Sequence, residues 1–394
     1  FTPDFTNATQ QAKIQSSDIA AGDEFGGAVD IDGDTAIVGA FDTDVPTNDE
    51  GAAYIFTRSG STWTQQAKLV ASDKAEDDFF GFSVAIDGDT AVIGARGEDA
   101  GGAAAGAAYV FTRSGSTWTQ QAKLVASDAA SVSLFGGSVD IDGDTIAVGA
   151  DAVDDTDTNT GAIYVFTRSG STWTQQAKLV ASDRGNNDRL GGSVSIDGNT
   201  IAAGAYHEDA SGSDAGAAYI FTRSGSTWTQ QQKLLASDGA AGDHFGAKIA
   251  LSGHTVVVGT FQATSGSANE GAAYVFTRTG STWTQQQKLT PSVTSPAKAS
   301  FQEVDPHAIA IEGDAIVVGA AGYVVSGATD AGGAYIWRRS GSTWTEVKTL
   351  TASDAAASDQ FGISVAISSD TIVVGAYLED TSGSNAGAAY IFVE

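Results

Sequence analysis

One phrase, Ser-Thr-Trp-Thr followed by Gln or Glu, recurs six times, with its tryptophans at Trp63, Trp118, Trp173, Trp228, Trp283 and Trp344. The first five stand 55 residues apart and the last gap is 61. Around each copy lies the same order of words: an FG pair, an IDGDT-like turn, VGA, a variable loop, GAAYVF, then RSGSTWTQQ. A long fixed period means one supersecondary unit used repeatedly, each copy burying its apolar surface against the next.

Counting the units predicts how the array ends. The GAAY tyrosine occurs seven times, at Tyr54, Tyr109, Tyr164, Tyr219, Tyr274, Tyr335 and Tyr390. The TQQAKL-like segment also occurs seven times, but its first copy stands alone at Thr9 to Ile14, and the chain stops just before the seventh unit would need one. The N-terminus therefore supplies the strand that the C-terminus lacks. An open solenoid has no use for this exchange; a closed ring does.

Each unit reads as four short strands. In the second, Ser83 to Ile86 alternates, Asp87-Gly88 signals a hairpin, and Thr90 to Gly94 returns. Ala107 to Thr112 is a third strand, and Arg113 to Ser116 turns it into a fourth, Thr117 to Leu124. No stretch has a helical apolar period. The prediction is an all-β fold: a seven-bladed β-propeller of four-stranded antiparallel blades, one domain over 1–394. The blades are expected at about 25–70, 80–125, 135–180, 190–235, 245–290, 305–351, and 361–394 plus 5–14.

Phe80-Gly81, Ile93-Gly94-Ala95 and Gly106-Ala-Ala-Tyr109 together resemble the FG-GAP repeat of integrin α-subunit heads and of many prokaryotic surface proteins. The resemblance covers essentially the whole chain and implies the propeller fold; it says less about function, because one fold hosts many. Many FG-GAP repeats carry a calcium loop between their first two strands. Here that connection has shrunk to Ile31-Asp-Gly-Asp-Thr35 and its equivalents, too short to wrap an ion in six or more oxygens. Plain turn chemistry is expected there, the more so because the fifth and seventh units read Ser252-Gly-His254 and Ser368-Ser-Asp370.

Composition narrows the partners. With 48 acids against 20 Lys plus Arg, the net charge is −28. Such a surface repels nucleic-acid phosphate and anionic bilayers. No apolar run is long enough to span a membrane, so no direct membrane insertion is expected. The chain opens with Phe1 and has neither Met nor Cys, which points to processing and excludes disulfides and thiolate sites. A secreted or cell-surface location suits this composition.

In antiparallel blades the IDGDT and RSGSTW turns share one face and hardly vary, whereas the second-to-third-strand loops and the blade linkers share the other and differ. Directly after VGA come Phe41, Arg96, Asp151, Tyr206, Phe261, Ala321 and Tyr377. Loops on a rigid scaffold commonly carry binding. The candidate ligand-binding residues are Phe41, Arg96, Tyr206, His207, Glu208, Phe261, Tyr323, Tyr377 and Glu379; aromatics beside carboxylates suit a sugar. The same acids equally suit a hairpin loop in which they satisfy backbone amides. Asp151, Asp154, Asp155 and Asp157 form the densest acid cluster and are the candidate ligands for Ca2+, the only cofactor suggested.

The sixth unit departs from the pattern, with Pro291 and Pro296 in a longer linker, Asp305-Pro306-His307 in place of the FG pair, and Trp337-Arg338 in place of Phe-Thr. No nucleophile elbow, HExxH, Walker loop or dinucleotide fingerprint occurs, so no enzyme is expected. In the repeated WTQQAKL, Trp and Leu are expected to pack between blades and Gln and Lys to face solvent. The expected function is binding or adhesion toward a glycan or protein. The alternative is a structural subunit of a surface layer or filament, by self-assembly or fusion to other domains.

Overall fold

The computed structural model describes residues 4–44, 49–260, 271–292 and 308–394. It contains seven sheets, each of four antiparallel strands. In six of them the strands follow in chain order, as in Phe80–Asp87, Thr90–Ala95, Ala107–Ser114 and Thr117–Leu124 of the second blade. The third strand thus runs past Thr112 to Ser114, and the turns fall on Gly88-Asp89 and Gly115-Ser116. The seventh sheet joins Val365–Ser368, Thr371–Ala376 and Ala388–Val393 to Thr9–Ile14, so the N-terminal strand closes the ring as predicted. Among the described residues there is no helix long and apolar enough to cross a membrane.

The FG, VGA and GAAY glycines meet at the blade junctions where the described residues keep all three. Phe80 is fully buried, edge-on to Tyr109 and Phe111 at 5.5 and 6.0 Å. Its backbone bridges to Gly51 of the blade before. A Cβ on Gly51 would lie 2.1 Å from the Phe80 carbonyl oxygen, one on Gly39 2.1 Å from that of Gly81, and one on Gly81 2.3 Å from that of Ala52. The three backbones approach so closely that only glycine fits, which explains the motif's spacing. Gly375, Gly387 and Gly26 repeat the junction where blade seven meets blade one.

Polar side chains then lock each blade to the next. The Trp118 Nε1–H donates to Gln66 of the preceding blade at 2.8 Å, and the same bond joins Trp63 to Gln11 across the closure. Tyr109 and Lys123 both donate to Asp73 in the preceding linker, at 2.9 and 2.6 Å. The expectation that Gln and Lys of TQQAKL merely face solvent is therefore corrected: both are half-buried and bonded. Blade six breaks the pattern consistently. Val347 replaces the second Gln where its Trp partner would be Ala8, and Phe5, Ala8 and Val347 share one apolar cluster instead.

The IDGDT acids are also occupied. The residue before the turn glycine accepts the backbone N–H at the turn-glycine position one blade on. Asp32 takes Gly88, Asp87 takes Gly143, Asp142 takes Gly198 and Asp197 takes Gly253. Ser252, Glu312 and Ser368 continue the circle to Gly313, Ser369 and Gly33. All seven junctions share this clasp. The acids looked dispensable in sequence because a Ser hydroxyl performs the same task.

One linker residue works against the fold. Val132 has φ 63° and is 57% exposed, whereas the corresponding positions hold Gly22, Asp77, Asn187 and Gly242. A β-branched side chain in the left-handed region is strained. Val132→Asn is expected to stabilise the chain by about 1 kcal/mol in urea unfolding; no gain would show that the strain is relieved elsewhere.

Candidate functional site

Three regions could hold a ligand: the axial channel, the face of short turns, and the variable face. The inner strands enclose a channel of about 270 Å³. Asp30, Ala85, Asp140, Ser195, Ala250, Ala310 and Ala366 occupy one level of its wall. The Asp30 carboxylate accepts the N–H groups of Ile31 and Ile86 at 2.8 and 2.7 Å; Asp140 does the same for Ile141 and Ile196. Burial pushes Asp30 up to about 8 despite those bonds, with Asp140 adding repulsion, and burial pushes Asp140 up to about 6.

The sign of the linkage follows. At pH 6 folded Asp30 holds a proton that an unfolded aspartate has released, so its contribution to stability is present below about pH 4 and is lost as pH rises to about 8. Because the carboxyl meets channel water, about 2 kcal/mol is expected over this window rather than the full shift. Urea unfolding of Asp30→Asn, which mimics the protonated form, should lose less stability than wild type between pH 5 and 8.5. Parallel curves for the two proteins would refute it.

The face of short turns is engaged in holding the ring together. Arg113 Nε binds Asp89 at 2.7 Å, its Nη1 binds Thr35 of the preceding blade at 3.0 Å, and its guanidinium lies 5.3 Å over Trp118. Arg58, Arg168, Arg223 and Arg339 make the same bond to the threonine of the blade before.

Among the described residues the outward side chains of the variable face differ from blade to blade. After VGA, Phe41 packs over Gly27 of its own blade and edge-on to Phe82 of the next at 5.5 Å. Arg96 lies 3.6 Å over the Phe82 ring and 6.0 Å from Phe79. Two predicted residues from adjacent blades thus join through Phe82.

A second, richer cluster spans blades three to five. Tyr206 packs over Gly192, and its hydroxyl donates to Asp151 at 3.3 Å, while Arg189 Nη1 binds the same carboxylate at 3.3 Å. Burial, then Asp151, push Tyr206 up to about 12. The His207 ring lies 4.5 Å from Tyr206 and 5.0 Å from His244, whose ring is 6.4 Å from Tyr206. His207 Nδ1 meets Asp214 at 2.7 Å, and this bond holds Asp214 below the usual carboxylate range. An aromatic step flanked by a cation, an anion and two imidazoles can stack on an apolar surface and bond to hydroxyls.

Other predicted residues serve the scaffold. Glu208 is buried, binding Lys233 at 2.7 Å and the Ala210 N–H at 2.9 Å; Glu379 is buried, binding Lys13 at 2.9 Å and Gln15 at 3.1 Å. Glu98 and Lys123 form the same pair. Tyr323 occupies this inward position in blade six, edge-on to Tyr335 at 5.9 Å, and the strand position of the lysine is Thr349. Glu208 and Glu379 are therefore corrected from ligand contacts to blade fillers, whereas Tyr323 is half-buried against its blade's core. Tyr377 is half-buried at the blade-seven equivalent of Tyr206. Phe261, Pro296, Asp305, Pro306 and His307 lie outside the described residues, while Trp337 is a core residue whose ring is tilted against Tyr335 at 5.7 Å.

The four acids proposed for calcium do not converge. Asp151 serves Arg189 and Tyr206, Asp154 accepts the Asn159 N–H at 2.7 Å, Asp155 pairs with Arg184 at 2.8 Å, and Asp157 is exposed. Among the described residues no group of three or more His, Cys, Asp or Glu is arranged to hold a metal ion. These four residues as placed do not form a calcium site.

Six segments, residues 8–56, 63–111, 118–166, 173–221, 228–276 and 344–392, match the FG-GAP repeat family. They take in well over half of the chain, which therefore belongs to that family, a binding-type propeller. No segment is matched between 276 and 344, where the sixth unit departs. No curated protein matches the chain in sequence. Among solved structures, the crystal structure of Saccharomyces cerevisiae Sqt1 is similar over 97% of this chain and 98% of that one, at 8% identity and a TM-score of 0.49.

Proposed function

We propose that the chain is a secreted or cell-surface binding module, without catalytic activity, that recognises a glycan through its variable face at the Tyr206 cluster. One observation carries the reading: the repeated polar residues of the scaffold are spent on blade-to-blade bonds, whereas Asp151, Arg189, Tyr206, His207 and His244 meet once, on the face that differs between blades. Stacking on an aromatic beside paired charges suits a polyhydroxylated ligand. A protein ligand at the same cluster is the alternative outcome.

The chain itself contains a conservative graft. Residues 206–214 (YHEDASGSD) and 377–385 (YLEDTSGSN) are equal in length, and both keep the buried glutamate. Replacing the first by the second removes His207 and Asp214 while preserving the scaffold. Against a bound glycan, affinity is expected to fall at least about tenfold, roughly the 1.4 kcal/mol of one or two lost polar contacts. Unchanged affinity in a folded graft would place recognition elsewhere.

A further inference from the structure

We propose that the face of short turns carries an oxyanion-binding site at blade five, between Arg278 and Arg339 and beside His254. It lies on the face opposite the glycan reading and does not depend on it. Six arginines stand near the ends of the third strands of blades one to six. In five of them the Nε–H donates to a side-chain oxygen at the tip of the same blade's first turn. Arg58, Arg113, Arg168 and Arg339 each meet an aspartate at 2.6 or 2.7 Å, and Arg223 meets Asn199 at 2.9 Å. At blade five the tip residue is the exposed His254, and among the described residues the Arg278 Nε is buried with no hydrogen-bond partner. A charged donor left unmet in this way carries its desolvation cost without the bond that would offset it.

The ring itself shows what an acid at this tip binds. Asp34 accepts from Arg58 of its own blade. In blade seven, which has no such arginine, Asp370 accepts from Nη1 and Nη2 of the same Arg58, now in the following blade, both at 3.3 Å. A carboxylate at the turn tip is thus within reach of two guanidiniums, one from its own blade and one from the next. At His254 these are Arg278 and Arg339. Arg339 is held beside the turn by its Nη1 bond to Thr255 at 3.1 Å. Arg278 is anchored by Thr200 at 3.3 Å and lies 5.4 Å over the Trp283 ring. Planar N–H edges fixed in this way suit an ion with two or more oxygens, which is the chemistry of a carboxylate, sulfate or phosphate group.

Local charge agrees. Of the seven first turns, only Ser252-Gly-His254 contains no acid, and the tip of blade four beside it is the neutral Asn199. A chain of net charge −28 repels anions over most of its surface, so this stretch is where one can approach. The oxyanion reaches Arg278 from the side on which Asp89 reaches Arg113, with the exposed His254 side chain turned aside.

NMR of the isotope-labelled full chain tests this through the arginine Nε–H signals, with sodium acetate, sulfate or phosphate replacing sodium chloride at constant ionic strength. The Arg278 signal, assigned by its loss in Arg278→Lys, is expected to move and saturate with at least one of the three, with Kd on the order of 5 mM. Saturation by acetate identifies a carboxylate ligand, and saturation by sulfate or phosphate an ester group. His254→Asp gives blade five the internal partner that Asp89 gives blade two, so it should weaken the titration at least about tenfold and raise the melting temperature. Arg339→Gln should weaken it by about threefold. No saturation with any of the three, an equal shift with chloride, or an unchanged titration in folded His254→Asp would overturn the site.

Discussion

Removal of residues 1–14 is expected to abolish the folded monomer. These residues supply the outer strand of blade seven, and with it Phe5, Ala8 and Ile14, all buried. Burying one large apolar side chain is worth about 2 kcal/mol. Their loss also leaves Glu379, 2% exposed, without Lys13, and stranding one partner of a buried pair costs about 3–5 kcal/mol. Trp63 loses Gln11 as well. The total, about 8 kcal/mol, is comparable with the whole stability of a typical domain. The truncated chain should elute as aggregate or show no cooperative melt, and a synthetic peptide of residues 4–16 added in trans should restore the transition. A truncated monomer melting at the wild-type temperature would mean that the ring does not depend on this strand.

Gly81→Ala is expected to cost about 4 kcal/mol, at the upper end of single substitutions. Gly81 has φ 98°, and the added Cβ would stand 2.3 Å from the Ala52 carbonyl oxygen, a clash with the backbone of the preceding blade. Gly88→Ala is the matched control. Its φ is 57°, but nothing lies within 4 Å of the new Cβ, so only the conformational term of about 1–2 kcal/mol applies. Urea unfolding of the two variants separates these causes. Equal losses would show that close approach at the FG glycine is not the origin of the motif.

The architecture was legible because it is written seven times. The displaced Thr9–Ile14 segment, the hairpin turns and the GAAY tyrosines determine blade number and closure without any long-range argument. What escaped the sequence is the set of contacts between units. Asp32 and Gly88, or Gln66 and Trp118, are about one period apart, and nothing in a single repeat says they touch. Inside the chain the signal was partial: Glu98, Glu208 and Glu379 pair with Lys123, Lys233 and Lys13, but Lys68 and Lys178 stand in blades with Thr43 and Val153 at the glutamate position. Reading loops one at a time made Glu208 and Glu379 look like ligand contacts.

The same limitation hid half of the candidate site. Tyr206 and His207 were visible as an aromatic–imidazole pair in a variable loop. Arg189 and His244 belong to the linkers before and after that blade, and only the packing of adjacent blades brings both to the Tyr206 cluster. Phe82 likewise joins Phe41 to Arg96 across a junction. Sites between blades are invisible to any reading that stays within one unit.

The most direct test of the functional account is binding of the purified chain to a broad glycan array, alongside Tyr206→Ala and the opposite-face variant Asp89→Ala. Selective binding that is lost in Tyr206→Ala and kept in Asp89→Ala is the predicted result. No selective binding by the wild-type chain, or binding that survives Tyr206→Ala and disappears with Asp89→Ala, would contradict it.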